Sequence, residues 1–265
     1  MSLIEDHFKL HHPPFPQNAE APSVLSHASH KDALERLRFA IDRQGIALLS
    51  GETGSGKSTV LGCLERELEP VKYLVLYTAL TSLGPFSLLT SLMAKLGVRP
   101  RRFKGETAQD LVAHLRNSSK TAVLIVDEAH LLPDKSLEDL RLLTADSLDQ
   151  KSPFALVLSG QPLLRERLAE PQHGALAQRV TVRIRLRSLT DSETALFLDK
   201  HLRSCGAHRS LFEPDAVTLL FQHSRGVPRP LQGLALGALM AAATSGKKTV
   251  DADAVQQALL EQEAA

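Results

Sequence analysis

Hydrophobic and polar residues follow two different periods along the chain as far as about Thr190. Apolar residues at helical spacing, as in KDALERLRFAIDRQ, predict amphipathic helices, whereas short continuous apolar runs predict strands that are buried on both faces. Beyond Thr190 the strand pattern disappears and only helices are predicted. The predicted strands cover 46–50, 71–80, 121–127 and 153–162, and the predicted helices before Thr190 cover 31–44, 57–69, 85–97, 107–118 and about 136–148.

This order of elements predicts an α/β domain, with a parallel sheet sandwiched by helices, followed by a small all-helical domain. We expect an N-terminal arm at 1–30, the sheet domain at 31–189 and the helical domain at 190–265. At 265 residues and 43% hydrophobic content, the chain is large enough to bury a core in both domains.

Cysteine usage and hydropathy indicate the compartment. Cys63 and Cys205 lie far apart and lack the spacing of a zinc site, which predicts reduced, buried thiols. The first residues are too polar for a secretory signal, and no apolar run reaches the length of a membrane span. We therefore expect a cytoplasmic protein that does not insert into a membrane.

A glycine-rich segment, GETGSGKST, separates the first predicted strand from a predicted helix. Glycines supply unusual backbone dihedrals and close approach, and the spacing fits the Walker A pattern. In such a loop the N–H groups surround the β-phosphate, Lys57 reaches the outer phosphates and the Ser58 hydroxyl ligates Mg²⁺. The alternative is a turn that binds nothing. The predicted nucleotide-binding residues are Gly51, Glu52, Thr53, Gly54, Ser55, Gly56, Lys57, Ser58 and Thr59.

A second motif, TAVLIVDEAH, ends a predicted buried strand with two acidic residues. Asp127 would hold Mg²⁺ through its water shell, and Glu128 would polarise a water for attack on the γ-phosphate. The alternative is an acidic cap that opens the next helix. Both motifs together predict an ATP hydrolase that uses ATP and Mg²⁺.

The motifs FKLHHPPFPQN, SHKDALERLRFAI, GETGSGKST, LIVDEAHLL, LVLSGQPLLRERL and GVPRPL occur in an order that resembles AAA+ ATPases over almost the whole chain. Within that class they are similar to ExeA/GspA-type ATPases and to transposition ATPases of the TnsC, TniB and IstB kind. The resemblance implies a P-loop AAA+ fold whose helical domain is a lid, and a homo-oligomeric, hexamer-like ring or filament.

The same resemblance assigns roles to three further residues. Gln161 matches the polar sensor that aligns the lytic water, with Ser159 as the fallback, and the alternative is a polar strand end without a contact. Arg229 matches the lid arginine that approaches the γ-phosphate, unless it is a helix-cap residue facing solvent. Arg179 matches the arginine finger given to the neighbouring subunit. Three arginines that follow it could be the solvated face of a strand: Arg183, Arg185 and Arg187.

A basic cluster lies in GVRPRRFKGET, in a predicted turn between two helices. Since the formal net charge is only +1, a nucleic-acid contact would need such a local patch. DNA-loading relatives line a channel with basic loops from this part of the fold, and a solvated surface loop is the alternative. The candidate DNA-binding residues are Arg99, Arg101, Arg102 and Lys104.

Three early histidines, His7, His11 and His12, have no accompanying cysteine or acidic ligands, so we expect a polar arm and no metal site.

The leading hypothesis is an AAA+ ATPase that assembles on duplex DNA with ATP and regulates or recruits a transposase or another transposition protein. Secretion-type members usually continue into a membrane span, whereas this sequence ends at Ala265, which favours that hypothesis. The alternative is the ATPase of a secretion or envelope assembly system that acts on a protein partner without DNA. A nucleotide-binding module with little turnover is a third possibility, against which Lys57, Asp127 and Glu128 argue.

Overall fold

The computed structural model describes residues 3–15, 28–79, 84–145 and 151–263. Leu80 at the end of a predicted strand, residues 146–148 of a predicted helix and residues 16–27 of the predicted arm lie outside them. The described chain forms two compact units, which comprise residues 32–52 with 60–186, and residues 1–31, 53–59 and 187–265. The predicted domain boundaries stay a prediction.

The sheet of the first unit contains five parallel strands in the described residues, in the order β2-β3-β4-β1-β5. Three central strands are almost entirely buried, as their continuous apolar runs predict, whereas β5 at the edge alternates buried and exposed residues. This confirms the predicted α/β class. The strands are β1 (Ile46–Ser50), β2 (Tyr73–Thr78), β3 (Thr121–Val126), β4 (Ala155–Gly160) and β5 (Val180–Arg185).

Helices of the first unit flank this sheet and bury its aliphatic faces, whereas α1 (Leu3–Phe8) belongs to the second unit. Leu92, Leu111 and Leu140, each from a different helix, pack in one core with the strand residues Leu124 and Leu156. The helices before residue 187 are α1 (Leu3–Phe8), α2 (Ala28–Asp42), α3 (Lys57–Glu67), α4 (Pro85–Lys95), α5 (Lys104–Asn117), α6 (Asp134–Thr144), α7 (Pro162–Ala169) and α8 (Gly174–Arg179).

The remaining helices form the core of the second unit, as the loss of the strand pattern predicts. The first of them begins after Thr190, whose side chain accepts a hydrogen bond from the Glu193 N–H while Glu193 accepts one from the Thr190 N–H. Gly226 approaches Leu189 so closely that a Cβ would lie 2.1 Å from the Leu189 oxygen. These helices are α9 (Asp191–Ser204), α10 (Pro214–Ser224), α11 (Pro228–Thr244) and α12 (Ala252–Glu263).

The N-terminal segment 3–15 packs into this helical core, because Ile4, Leu10 and Phe15 are buried in the same cluster as the apolar residues of α9 to α12. His7 contacts the Lys247 oxygen at 2.7 Å, and the His11 N–H donates to the Cys205 oxygen at 2.7 Å. The arm is therefore less polar than its histidines suggest. In the described ranges, no group of histidine, cysteine and acidic residues could hold a metal ion.

Both cysteines are free and buried, as predicted. Among the residues that the structure describes, no helix is long and apolar enough to cross a membrane.

Candidate nucleotide-binding site

The phosphate loop follows β1 directly and leads into α3. Its start is tied to the sheet, since the Gly51 N–H donates to the Gly160 oxygen at 3.2 Å. Gly54 and Gly56 have φ angles of +81° and +94°, a region that side chains rarely adopt. The glycines of the motif therefore supply the backbone conformation for which the sequence pattern predicted them.

Two successive carbonyls of this loop are anchored by elements that are distant in sequence. The N–H of Arg229, in the first turn of α11, donates to the Gly54 oxygen at 3.2 Å. Nε2 of His30, in α2, lies 3.0 Å from the Ser55 oxygen. The loop is thus shaped by contacts that the Walker A pattern does not contain.

Asp127 lies at the carboxyl end of β3 and is held by donors from both neighbouring strands. Ser159 Oγ, at the end of β4, donates to Asp127 Oδ1 at 2.8 Å, and the Tyr77 hydroxyl, from β2, donates to Oδ2 at 3.2 Å. Burial and the neighbouring Asp127 charge raise the pKa of Tyr77 to about 12. The Tyr77 hydroxyl therefore stays a donor throughout the neutral pH range.

Glu128 has a left-handed backbone with φ +50°, and its N–H donates to Asp127 Oδ1 at 3.0 Å. Its side chain is 41% exposed, and Oε2 lies 3.4 Å from Nδ1 of the buried His130. An unusual backbone conformation at this position is typical of functional sites. The exposure of the Glu128 side chain makes it accessible to water.

Arg167 in α7 holds the turn that follows Glu128, because Nη1 donates to the His130 oxygen at 2.7 Å. The same guanidinium donates to Asp134 at the start of α6, which also contacts His173 Nε2 at 3.1 Å. The hydrogen bond from Arg167, followed by that from His173, lowers the pKa of Asp134. This network ties the acidic end of β3 to the helices around it.

The two predicted sensor residues occupy different environments. Gln161 is the residue before α7 and is partly exposed, whereas Ser159 is fully buried against Asp127. Arg179 ends α8 and is exposed, and Arg229 is exposed next to the phosphate loop that its N–H contacts. The roles of these four residues stay predictions.

Arg183 and Arg185 lie on the exposed face of the edge strand β5, which agrees with the alternative of a solvated strand face.

The basic cluster is more neutral than its sequence suggests. Arg101 donates to Asp110 at 2.6 Å, and Lys104 donates to Asp139 at 2.7 Å. Lys104 also belongs to the first turn of α5, so the prediction that it lies in the interhelical turn is wrong, because the helix begins three residues earlier than its apolar spacing indicated. Arg99 and Arg102 precede the helix and are exposed.

The donor types at both motifs fit ATP with Mg²⁺. Mg²⁺ prefers oxygen ligands and keeps several waters while it binds phosphate oxygens, so one hydroxyl and one carboxylate suffice from the protein. Ser58 is an exposed residue at the start of α3, and the Asp127 carboxylate is oriented by neutral donors. The residues that would hold the nucleotide phosphates are those of the phosphate loop, with Lys57 supplying the cation.

Comparison with known proteins agrees with this geometry. The profile of a family described as AAA domain matches residues 40–168, a range that contains both motifs. This part of the chain is similar to AAA domains, and the fold is the P-loop AAA+ fold. The match and the parallel sheet confirm the predicted fold class, and they agree with the predicted ATPase class and with ATP and Mg²⁺ as its cofactors.

One curated relative, the general secretion pathway protein A of Aeromonas hydrophila, is 32% identical over 250 residues, which are 92% of this chain and 45% of that protein. The chain thus spans less than half the length of that relative. This similarity confirms the predicted resemblance to GspA-type ATPases.

Two solved structures share the AAA+ fold. Cdc6p from Pyrobaculum aerophilum has a TM-score of 0.69 at 19% identity, over 97% of this chain and 70% of that one. The ORC1 protein of Aeropyrum pernix in complex with DNA has a TM-score of 0.67 at 22% identity, over 93% of this chain and 68% of that one.

Sequence reasoning missed His30, Tyr77, His130 and Arg167. A tyrosine near the end of an apolar strand beside the acidic strand is a signal that could have indicated Tyr77, since neighbouring parallel strands end at one edge. His30 and Arg167 contact backbone oxygens, and His130 lies in the turn after β3 next to Glu128. Such contacts leave no pattern in the sequence.

Proposed function

We propose that the chain binds ATP with Mg²⁺ at the phosphate loop and hydrolyses it with Glu128 as the general base. The acidic end of β3 carries this proposal. There Asp127 is oriented by Ser159 and Tyr77, while the adjacent Glu128 side chain is 41% exposed and can meet a lytic water. Lys57 neutralises the outer phosphates, and Ser58 and Asp127 hold Mg²⁺.

The test compares two substitutions that affect different steps. Lys57→Ala removes the cation on the phosphates and should abolish binding of ATP and ADP. Glu128→Gln keeps the shape of the base without its charge, so it should bind ATP as wild type does and lose about 10²-fold or more in kcat. Equal nucleotide affinity of Lys57→Ala and wild type, measured by calorimetry, would refute the phosphate loop.

We infer that the site is completed by a second copy of the chain. Arg179 is exposed at the end of α8, where it could reach the nucleotide of a neighbouring subunit, and Arg229 and Gln161 act within one subunit as lid arginine and sensor. ATPase activity per subunit should then rise with protein concentration. Arg179→Ala should lose activity with ATP still bound, and the exposed Arg185→Ala in β5 is the matched control.

The role that we favour is action on a protein partner in a secretion or envelope assembly system. The similarity to general secretion pathway protein A extends over 92% of this chain, which supports the alternative of the sequence analysis over its leading hypothesis. Regulation of a transposase and a cytoplasmic location stay predictions.

Duplex DNA is the second candidate partner, because one structural neighbour is described in complex with DNA and because Arg99 and Arg102 are exposed. The ion pairs of Arg101 and Lys104 weaken this candidate, since those cations already have carboxylate partners. Binding would depend on ATP if assembly brings several copies of the segment together.

The DNA test uses a non-hydrolysable ATP analogue at several salt concentrations. Replacing Arg99 and Arg102 by Gln should lower the logarithmic salt slope by about 0.9 for each phosphate that the variant no longer neutralises. Arg101→Gln is the control, because its guanidinium is paired with Asp110. No duplex binding by any form would leave the protein partner as the proposed role.

A further inference from the structure

The side chain of His30, in α2, contacts the phosphate loop. This residue is only 4% exposed, and its Nε2 lies 3.0 Å from the Ser55 oxygen. Because a carbonyl oxygen only accepts hydrogen bonds, Nε2 carries the proton and donates. A Cβ at Gly56 would lie 2.7 Å from ring atoms of His30, so the imidazole occupies the space that the glycine leaves.

The planarity of the peptide group gives this contact a consequence on the other side of the loop. The Ser55 oxygen and the Gly56 N–H belong to one peptide, and in a trans peptide they point in opposite directions. Holding the oxygen on His30 therefore directs the Gly56 N–H away from the imidazole. The Arg229 N–H acts in the same way on the preceding peptide, since it holds the Gly54 oxygen.

We propose that His30 is a positioning residue for phosphate binding, which aims the Gly56 N–H at the β-phosphate by holding the Ser55 oxygen. The proposal rests on the ATP site described above and adds a residue that lies outside both motifs. His30 itself does not contact the phosphate, because its ring is on the carbonyl side of the peptide. Its role is to fix the loop before the nucleotide arrives, which removes an ordering cost from binding.

The geometry of the donor makes the proposal specific. Nε2 of a glutamine lies about as far from Cβ as Nε2 of histidine, whereas the amide nitrogen of asparagine is one bond shorter. His30→Gln should therefore keep the hydrogen bond to Ser55, and His30→Asn and His30→Ala should lose it. His7→Ala is the matched control, because His7 Nε2 also contacts a backbone oxygen, that of Lys247, away from the loop.

The experiment measures the affinity of each purified variant for ADP and AMP by competition with a fluorescent nucleotide, together with kcat at saturating ATP. We expect His30→Asn and His30→Ala to bind ADP about tenfold more weakly. Their AMP affinity should be unchanged, because AMP has no β-phosphate. His30→Gln should stay within about twofold of wild type, as should His7→Ala.

Several results would overturn the proposal. Wild-type ADP affinity of His30→Asn and His30→Ala would do so, as would an equal loss for ADP and AMP, which indicates general damage. A His30→Gln variant as weak as His30→Asn would show that ring packing matters and the hydrogen bond does not. If His30→Ala fails to fold, the Gln and Asn variants decide. Absence of ADP binding by wild type would instead refute the ATP site itself.

Discussion

The phosphate loop and the acidic end of β3 are held in different ways. Carbonyls of the loop are anchored by His30 and by the N–H of Arg229, residues far from it in sequence. Asp127 is anchored by Tyr77 and Ser159, which belong to the two strands that flank β3. The position of Asp127 is thus set by neighbouring strands of the sheet, whereas the conformation of the loop depends on contacts with α2 and α11. Substitutions should therefore separate nucleotide binding from turnover.

Among the substitutions that test this comparison, the largest effect is expected at Gly54, where the loop meets α11. A Cβ there would lie 2.7 Å from the Arg229 Cβ, and the φ of +81° is strained for any side chain. A residue forced into such a conformation costs about 1–3 kcal/mol. Gly54→Ala should therefore weaken ATP and ADP binding roughly 10- to 100-fold, measured by calorimetry.

Gly62→Ala is the control for this prediction, because Gly62 lies inside α3 and its added Cβ would meet only the flexible end of Arg66 at 3.8 Å. It should leave affinity unchanged and raise the melting temperature, since alanine is favoured over glycine in a helix by about 1 kcal/mol. Equal affinity of Gly54→Ala and wild type would show that the loop does not depend on the contact with α11.

A smaller effect is expected at the acidic end of β3. Ser159→Ala removes the buried 2.8 Å hydrogen bond to Asp127, and a hydrogen bond to a charged group is worth about 1.5–3 kcal/mol. We expect kcat to fall about tenfold with little change in the Kd for ADP. Steady-state kinetics and calorimetry on the same preparation separate the two quantities.

The matched control is Ser152→Ala, near the start of β4, where the hydroxyl contacts only the Phe154 oxygen among the described hydrogen bonds. A change in Kd without a change in kcat for Ser159→Ala would contradict the division between the two regions.

The smallest effect is spectroscopic. The pKa of Tyr77 is about 12 in the folded protein, whereas a tyrosine in the unfolded chain has a pKa of about 10. The folded protein therefore favours the neutral phenol more than the unfolded chain does. The stabilisation from this shift is complete below pH 10 and is lost as the pH rises toward 12. The chain contains two tyrosines and no tryptophan, so absorbance titration follows both phenols without interference.

Tyr77→Phe should remove the later ionisation, and Asp127→Asn should lower the pKa of Tyr77 because it removes the nearby negative charge. Asp42→Asn is the control, since Asp42 accepts the hydrogen bond of the other tyrosine, Tyr73. A Tyr77 titration that is unaffected by Asp127→Asn would show that the two side chains do not interact.

The central strands were predictable from the sequence because their continuous apolar runs have one physical explanation. The predicted strand 46–50 matches β1, and the predicted strand 121–127 exceeds β3 by one residue. The edge strand β5 was not among the predicted strands. Its exposed arginines alternate with buried residues, so the sequence is as consistent with a cluster of functional arginines as with the solvated face of a strand. Burial on both faces leaves a stronger pattern than burial on one.

The chemical types at the site were also predictable, because Walker spacing encodes them. The supports of the loop were not predictable, since His30 and the Arg229 N–H contact backbone carbonyls of the loop, which every residue type carries. The ion pairs of the basic cluster were missed for a related reason. Asp110 reaches Arg101 through the fold of α5, and Asp139 belongs to another helix, α6, so neither partner is adjacent in sequence to its cation.

Segment 3–15 is buried by helices that are synthesised much later, which determines when its apolar side chains become covered. Ile4, Leu10 and Phe15 are synthesised well before the apolar residues that cover them, such as Phe197 and Leu234. At roughly 5–20 residues per second, these side chains stay uncovered for about 10 to 40 s. The nascent chain therefore exposes these apolar side chains until the helices that cover them have been made.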